Sequence, residues 1–275
     1  MGTEKIDEKI DTVEIVRKKY DENVQSEWER LERHKVEFEI TKRYIKRYIK
    51  SGDKVLDMGG GPGRYSLFMA EMGCDVTLAD LSQNNVDFAI EKAKEQNLKI
   101  KALCLDARNL EQLYGESFDH ILLMGPMYHL VEESDRIKSV NECLKLLKPN
   151  GVIFVSFIAL YAGIIWAMKE MPEAVLHRSE DEFLNCFIED KSFSGQAFTQ
   201  AYFIRQGDVL PFMSQFPLEK LHLLGQEGLT SPCEPNILAQ PPEVVDKWID
   251  LAEKVCERED LLSFSEHYLY IGRKI

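Results

Sequence analysis

An α/β fold built on a doubly wound, mostly parallel sheet is predicted by three features of the chain. Between Lys54 and Ile158, five short apolar runs alternate with segments of helical period, the pattern of strands joined by crossover helices. The first run leads straight into Gly59-Gly60-Gly61-Pro62-Gly63, where bare backbone can take left-handed conformations between a strand and a helix. The flanks have a different texture. Residues 1–50 place apolar side chains at helical spacing, and residues 160–206 are rich in aromatics and Met in no regular order.

In residues 1–50, Ile6, Ile10, Val13, Val16 and Tyr20 recur among charges, as do Trp28, Leu31, Val36, Phe38, Ile40, Tyr44, Ile45 and Tyr48. No proline interrupts them, so an N-terminal helical extension is expected, ended by the turn Ser51-Gly52-Asp53. Lys54–Met58 is the first strand. Helical spacing then runs through Tyr65, Leu67, Phe68, Met69 and Met72 and stops at Gly73. Asp75–Asp80 is the second strand, and Ser82 is placed to cap a helix reaching Gln96. Residues 100–105 and 118–124 give the third and fourth strands. A helix over 135–147 ends at the turn Lys148-Pro149-Asn150-Gly151, and 152–158 is the fifth strand. Residues 160–206 are read as an inserted cap over the carboxyl edge of the sheet. The alternation then resumes, with a helix over 207–215, a strand over 218–224, a loop at 231–235, a helix over 242–257 and a last strand over 267–272.

At 275 residues the length suits one domain with an insertion. The expected divisions are helices over 1–50, a cofactor-binding half over 51–159, the cap over 160–206 and the rest of the sheet over 207–275. The net charge of −13 repels phosphate backbones and anionic bilayers, so neither nucleic acid nor membrane is expected as a partner. The run Lys42, Arg43, Lys46, Arg47, Lys50 has the spacing of a solvated helix face. Six scattered cysteines include no CxxC pair, which suggests neither a metal site nor a disulfide framework. The charged N-terminus is unlike a signal peptide, and a cytoplasmic setting is the expectation.

The glycine turn carries the chemistry. Dinucleotide enzymes place GxGxxG here, so that helix amides face a pyrophosphate. This chain has GxGxG at Gly59, Gly61 and Gly63, and Tyr65 follows where a pyrophosphate would be crowded. Asp80 ends the second strand, where a carboxylate can accept bonds from ribose hydroxyls; a helix N-terminal acid is the plainer alternative. Asp106-Ala107 follows the third strand, where an acid can meet an adenine amino group or be an ordinary loop residue. Asp57 precedes the glycines and can hold the turn amides or reach a ligand's amino group.

Together these residues resemble the class I S-adenosylmethionine-dependent methyltransferases. VLDMGGGPGRYS is similar to the family's first motif, LADLS to its acidic second and LCLDARNL to its third. FDHILLMGPMYHL and ECLKLLKPNGVIFVS are similar to the fourth strand, the helix and the turn that follow. The resemblance implies a seven-stranded, Rossmann-like sheet with an antiparallel last strand. It also implies S-adenosyl-L-methionine as cofactor, with S-adenosyl-L-homocysteine as product. The cofactor residues it implies are Asp57, Gly59, Gly60, Gly61, Gly63, Asp80, Leu81, Asp106, Ala107 and Met124.

The segment Met124-Gly125-Pro126-Met127-Tyr128-His129-Leu130 leaves the fourth strand at the ligand-binding edge. His129 is the candidate general base for a hydroxyl or thiol acceptor, or a structural histidine of the loop. Tyr128 is a candidate to pack against cofactor or acceptor. The cap offers Tyr161, Trp166, Met168, Phe183, Phe187, Phe193, Phe198, Tyr202 and Phe203, as an acceptor pocket, as an aromatic cage for a cation, or as packing. His177 and Arg178 are weaker candidates for an acidic acceptor. Tyr20, Trp28 and His34 belong to a lid or simply pack on the sheet. A small-molecule methyl acceptor is the leading reading. The alternatives are a protein or RNA methyltransferase, a nicotinamide-dependent oxidoreductase, which lacks its motif here, and a non-catalytic cofactor-binding module. Homodimerisation through the N-terminal helices or the cap is compatible with the sequence and not required by it.

Overall fold

The structure is a computed structural model and describes residues 12–275; the helical positions Ile6 and Ile10 lie outside them. The helical extension is three helices, α1 (Thr12–Glu22), α2 (Val24–Arg33) and α3 (Lys35–Tyr48), broken at Asn23 and His34. There follow β1 (Lys54–Met58), α4 (Arg64–Glu71), β2 (Asp75–Asp80), α5 (Gln83–Glu95), β3 (Lys101–Cys104), β4 (Phe118–Leu123), α6 (Glu133–Leu146) and β5 (Leu147–Ala159). These match the expected elements to within a few residues, with one correction. The turn expected at 148–151 lies inside β5, because Leu147 already pairs with Phe118 and the register shifts by a bulge before His120 meets Val152. Asn150, at φ +63°, takes up the extra length.

The expected cap has more regular structure than its sequence pattern shows. It contains α7 (Leu160–Glu170), two 3₁₀ turns, α8 (Asp181–Ile188) and the hairpin β6 (Phe193–Gln196) and β7 (Gln200–Ile204). After it come α9 (Gln206–Met213), β8 (Leu218–Gly225), α10 (Glu234–Leu238), α11 (Pro242–Val255) and β9 (His267–Lys274). The loop expected at 231–235 is instead a 3₁₀ turn running into α10, since Pro235 near the start of a helix leaves no amide unpaired that the helix would have used.

Strands β3, β2, β1, β4 and β5 lie side by side and parallel. Beyond β5 the sheet continues through β9, antiparallel to both β5 and β8. That makes the seven-stranded sheet with a reversed strand. The hairpin of the cap adds to the same sheet from the other side. Where β4 ends, β7 takes over as the neighbour of β5, pairing Phe203 with Ile158 and Ile204 with Ala159. The hairpin therefore stands over the carboxyl edge.

Alternation along β5 feeds two cores. Ile153, Val155 and Phe157 join one with α6, and Val152 and Phe154 join the other with α3, α4 and α11. Crossovers on both faces bury the strands on both sides, which is why they read as continuous apolar runs.

Helix α1 is fastened to the sheet by polar contacts. The Ser82 hydroxyl accepts from the Asn85 N–H at 3.1 Å, capping α5, and donates to Asp21 Oδ1 at 2.5 Å. Asn84 Nδ2 donates to the Asp21 carbonyl at 2.9 Å. Replacing Ser82 by Ala removes the cap, at a cost of about 1 kcal/mol, and one fastening of α1. Urea denaturation is expected to show that loss, and trypsin to cut after Arg17 faster than in the wild type.

Candidate active site

The turn after β1 is built by hydrogen bonds to the end of β2. Gly59 and Gly60 donate their N–H groups to the Ala79 carbonyl at 2.7 and 3.3 Å. Gly61 N–H donates to Asp80 Oδ2 at 2.8 Å. Asp80 Oδ1 accepts from Ser82 N–H at 2.9 Å and Asn85 Nδ2 at 3.2 Å. Burial pushes the Asp80 carboxyl up, against these donors. Gly59 (φ +78°) and Gly61 (φ +54°) are both left-handed, but for different reasons. A Cβ at Gly59 would lie 2.4 Å from Pro126 Cδ, whereas one at Gly61 would meet nothing within 4 Å. Gly59 is thus required by contact with the loop after β4, and Gly61 leaves the turn open to a ligand.

Asp57, at the end of β1, is buried and accepts from the Ser66 hydroxyl at 2.7 Å. Burial pushes its carboxyl up to about 6, opposed by Ser66 and helped by Asp80. Asp106 lies below the usual carboxylate range. Burial would raise it, but Arg108 donates to it from both its backbone and its guanidinium and outweighs that. Arg108 also bridges to Asp135 at 2.9 Å.

These groups open on one cavity of about 290 Å³. Of the candidate cofactor residues, Asp57, Gly59, Gly60, Gly61, Asp80, Leu81, Asp106, Ala107 and Met124 line it. Gly63 instead caps the start of α4 with φ +94°. Tyr128 and His129 line the opposite side, with Tyr20, Glu27, Arg30, Ile158, Phe198 and His267.

His129 is buried and both its nitrogens are engaged. Nε2 meets the Tyr20 hydroxyl at 2.6 Å and Nδ1 the Gln200 carbonyl at 3.3 Å. The carbonyl can only accept, so Nδ1 carries the proton and Nε2 accepts from the phenol. Burial pulls the imidazole down to about 4, against the bond to Gln200. It is neutral at physiological pH and ties α1 to the loop after β4 and to the cap hairpin.

Of the cap aromatics proposed for a pocket, Phe198 reaches the cavity. Phe183, Phe193 and Phe203 stack edge to face on one another, and Tyr161 on Phe187, as packing of the cap. Tyr202 lies under the Arg136 guanidinium, 3.6 Å from its ring centre. Trp166 and Met168 are exposed, as are His177 and Arg178. Trp28 packs on Phe88 and Arg64, and His34 lies 3.6 Å from Glu234.

A charged cluster on the far wall is not among the residues that the sequence pattern singles out. Arg30 grips Glu37 through two bonds of 2.7 and 2.9 Å. His267 Nδ1 donates to Glu227 at 2.6 Å and lies 3.8 Å from Glu37. Glu37, Glu227 and His267 have the residue types and spacing of a metal site, but the Arg30 guanidinium already takes both oxygens of Glu37. With two cations against two carboxylates the cluster is balanced by its own side chains. Burial works against the Glu37 charge, yet Arg30 and His267 bring the carboxyl down to about 2. A signal for it does exist in the chain: an antiparallel last strand must begin at the carboxyl edge, and this one begins with His267, just after Glu266.

Residues 55–151 match the family model described as a methyltransferase domain. That segment is similar to methyltransferase domains, and the chain as a whole has a fold like those of solved S-adenosylmethionine-dependent methyltransferases. A ubiquinone biosynthesis O-methyltransferase of Histophilus somni is 38% identical over 109 residues, 38% of this chain and 44% of that protein. The chain spans about half the length of the curated relatives it matches. Among solved structures, magnesium protoporphyrin IX methyltransferase from Synechocystis PCC 6803 with bound SAH aligns at a TM-score of 0.59 and 13% identity, covering 96% of this chain and all of that one. The [4+2]-cyclase SpnF aligns at 0.55 and 20% identity, covering 86% and 80%.

The two glycines separate cleanly by substitution. Gly59→Ala combines backbone strain with a clash and is expected to cost about 2–4 kcal/mol in chemical denaturation. Gly61→Ala carries strain alone, about 1–2 kcal/mol.

Proposed function

We propose that the chain binds S-adenosylmethionine along the carboxyl ends of β1, β2 and β3 and directs methyl transfer, in line, to a small-molecule acceptor on the far side of the same cavity. The observation that carries this reading is the arrangement of three carboxylates, Asp57, Asp80 and Asp106, around the glycine turn, all opening on one space. The curated relatives named as O-methyltransferases support it.

The residues fit that cofactor. Asp57 is a buried carboxyl held part-way to neutral for want of a cation, which an ammonium group would supply. Asp80 spends three acceptor positions on the protein and keeps lone-pair capacity for ribose hydroxyls. Asp106 and Ala107 stand at the edge assigned to adenine. Bound there, the cofactor supplies a methyl group on a positively charged sulfur. The protein's part is to hold the acceptor in line with it and to exclude water. Helices α1 and α2 and the cap hairpin wall the far side, which suits a small acceptor better than a protein or RNA chain.

A cyclase among the structural neighbours favours one second reading, cofactor binding on this fold without methyl transfer. Isothermal titration with S-adenosylmethionine and with NADH is the first test. Binding of the sulfonium compound alone is expected, weakened about 10–100-fold in Asp80→Asn. Binding of neither, or binding indifferent to Asp80, overturns the cofactor assignment. Product formation from an acceptor screen then separates catalysis from binding.

Asp57 adds a pH signature. Its folded pKa of about 6 is raised, so the proton stabilises the free fold at low pH, and that gain is lost as pH rises through 6. An ammonium ligand needs the ionised form. Cofactor affinity is therefore expected to be full above pH 6 and to fall by roughly tenfold per unit below it. Asp57→Asn should bind weakly and without that pH dependence.

A further inference from the structure

His267 opens β9 beside Ile158 at the carboxyl edge of the sheet, and both line the cavity. Its Nδ1–H donates to Glu227 Oε1. Glu227 is fully buried and is itself fixed by the N–H groups of Glu266 and His267, at 3.1 and 3.0 Å on Oε2. The ring is thus set by a carboxylate that cannot turn away. Among the described residues Nε2 has no hydrogen-bond partner, and it is not sealed off as a buried orphan. It opens on the cavity. This is the reverse of His129, whose two nitrogens are both taken by the protein.

We propose that His267, oriented by Glu227, is the binding point for an anionic oxygen on the acceptor, so that the site selects small acceptors carrying a carboxylate or an ionised phenol. The proposal rests on the reading that this cavity holds an acceptor beside the cofactor.

The charges around His267 support it. Burial opposes a charge on the ring, but Glu227 and Glu37 outweigh burial and raise the imidazole to about 9. At neutral pH it is an imidazolium with one N–H spent on Glu227 and the other unspent. The charged groups on the neighbouring elements are engaged elsewhere. Glu37 of α3 is held by Arg30 of α2. Glu266, the preceding residue, is tied to Lys169 of α7 and to Ser231 at 2.6 and 2.7 Å. Glu27 of α2 lies 3.9 Å from Arg30 Nε and is pushed toward its neutral form by burial. Tyr128 stands with its ring 6.2 Å away, and the hydroxyl of Tyr65 of α4 is buried. The unspent imidazolium N–H is a charge-assisted donor, the kind of contact that favours an oxyanion over its neutral analogue. In a chain of net charge −13, such a donor also marks one place where an anion is welcome. An acceptor that arrives ionised brings its own lone pair and needs no base, in keeping with a His129 that has no nitrogen to offer.

The test follows the His267 imidazole by NMR, its signal assigned by its loss in His267→Gln. Benzoate, 4-nitrophenolate and benzamide are titrated into the free chain and into the chain loaded with S-adenosylhomocysteine. The expected result is that at least one anion moves the His267 signal and raises its pKa, while benzamide does neither; which anion acts tells carboxylate from phenolate. His267→Gln is expected to weaken that anion about 10–100-fold with S-adenosylhomocysteine affinity unchanged. Glu227→Gln should lower the His267 pKa, which a purely structural role for Glu227 would leave in place. If neither anion moves the wild-type signal, or if benzamide binds as tightly, the proposal is overturned, and that outcome does not depend on any variant folding. Failure of the methyltransferase reading looks different: S-adenosylhomocysteine does not bind, while the anions still report on His267.

Discussion

Asp80 accepts hydrogen bonds from the backbone of Gly61 and Ser82 and from the side chain of Asn85. One carboxylate at the end of β2 thereby fixes the turn after β1 and the entry to α5. Through the Ser82 hydroxyl and Asp21 it also reaches α1, the helix that walls the cavity. The arrangement is local in space but not in sequence, and it explains why a ligand-binding edge can be rigid when it is made of loops. Three amides of the turn are held by fixed groups, those of Gly59 and Gly60 by the Ala79 carbonyl and that of Gly61 by Asp80. An acid at this position does structural work of its own, so the ribose-binding role proposed for it would be a second use of the same pair of oxygens.

The far wall follows another rule. Arg30, Glu37, Glu227 and His267 are a buried, nearly balanced set of charges drawn from α2, α3, the segment after β8 and the start of β9. Removing one member of such a set leaves an uncompensated charge at a cost of several kcal/mol, while the intact set adds little net stability. Its presence beside a cavity is therefore poorly explained by stability alone and better by the exposed edge it presents there. Within the same wall the Tyr20–His129 bond ties α1 to the loop after β4, across 109 positions of sequence.

The half of the molecule with local grammar is legible from sequence. Strand, glycine turn and helix follow one another within a few residues, so β1 to α6 and most of the candidates that line the cavity can be placed from spacing. Gly63 shows the limit: the motif places it with Gly59 and Gly61, yet its backbone serves the helix start and does not face the cavity. The cap is legible only as an interruption. Its hairpin is short and its apolar side chains stack on each other, so no period of two or 3.6 stands out. Lys148 to Gly151 reads as a turn by composition, and is a bulged strand because Leu147 finds a partner in Phe118. Position in the chain identifies His129 but not its occupied nitrogens, since Tyr20 and Gln200 lie far away in sequence. His267 escapes notice because its meaning depends on the direction of β9, a tertiary fact.

The family match ends at Gly151, and that boundary divides the site as well. Asp57, the glycines, Asp80, Asp106 and Met124 fall inside it. Glu27, Arg30, Glu37, Phe198, Glu227 and His267 fall outside. A fold that neighbours both a methyltransferase and a cyclase cannot by itself specify a reaction, and the matched segment contributes the part of the cavity that such proteins would share. What distinguishes this chain must therefore reside in the N-terminal helices, the cap hairpin and the last two strands. Those are the elements that leave one histidine of the wall neutral and fully bonded and make the other a carboxylate-oriented imidazolium, open through Nε2. The asymmetry between His129 and His267 is set by their partners and not by the residue type, and it is there that the acceptor selection proposed above would have its physical basis.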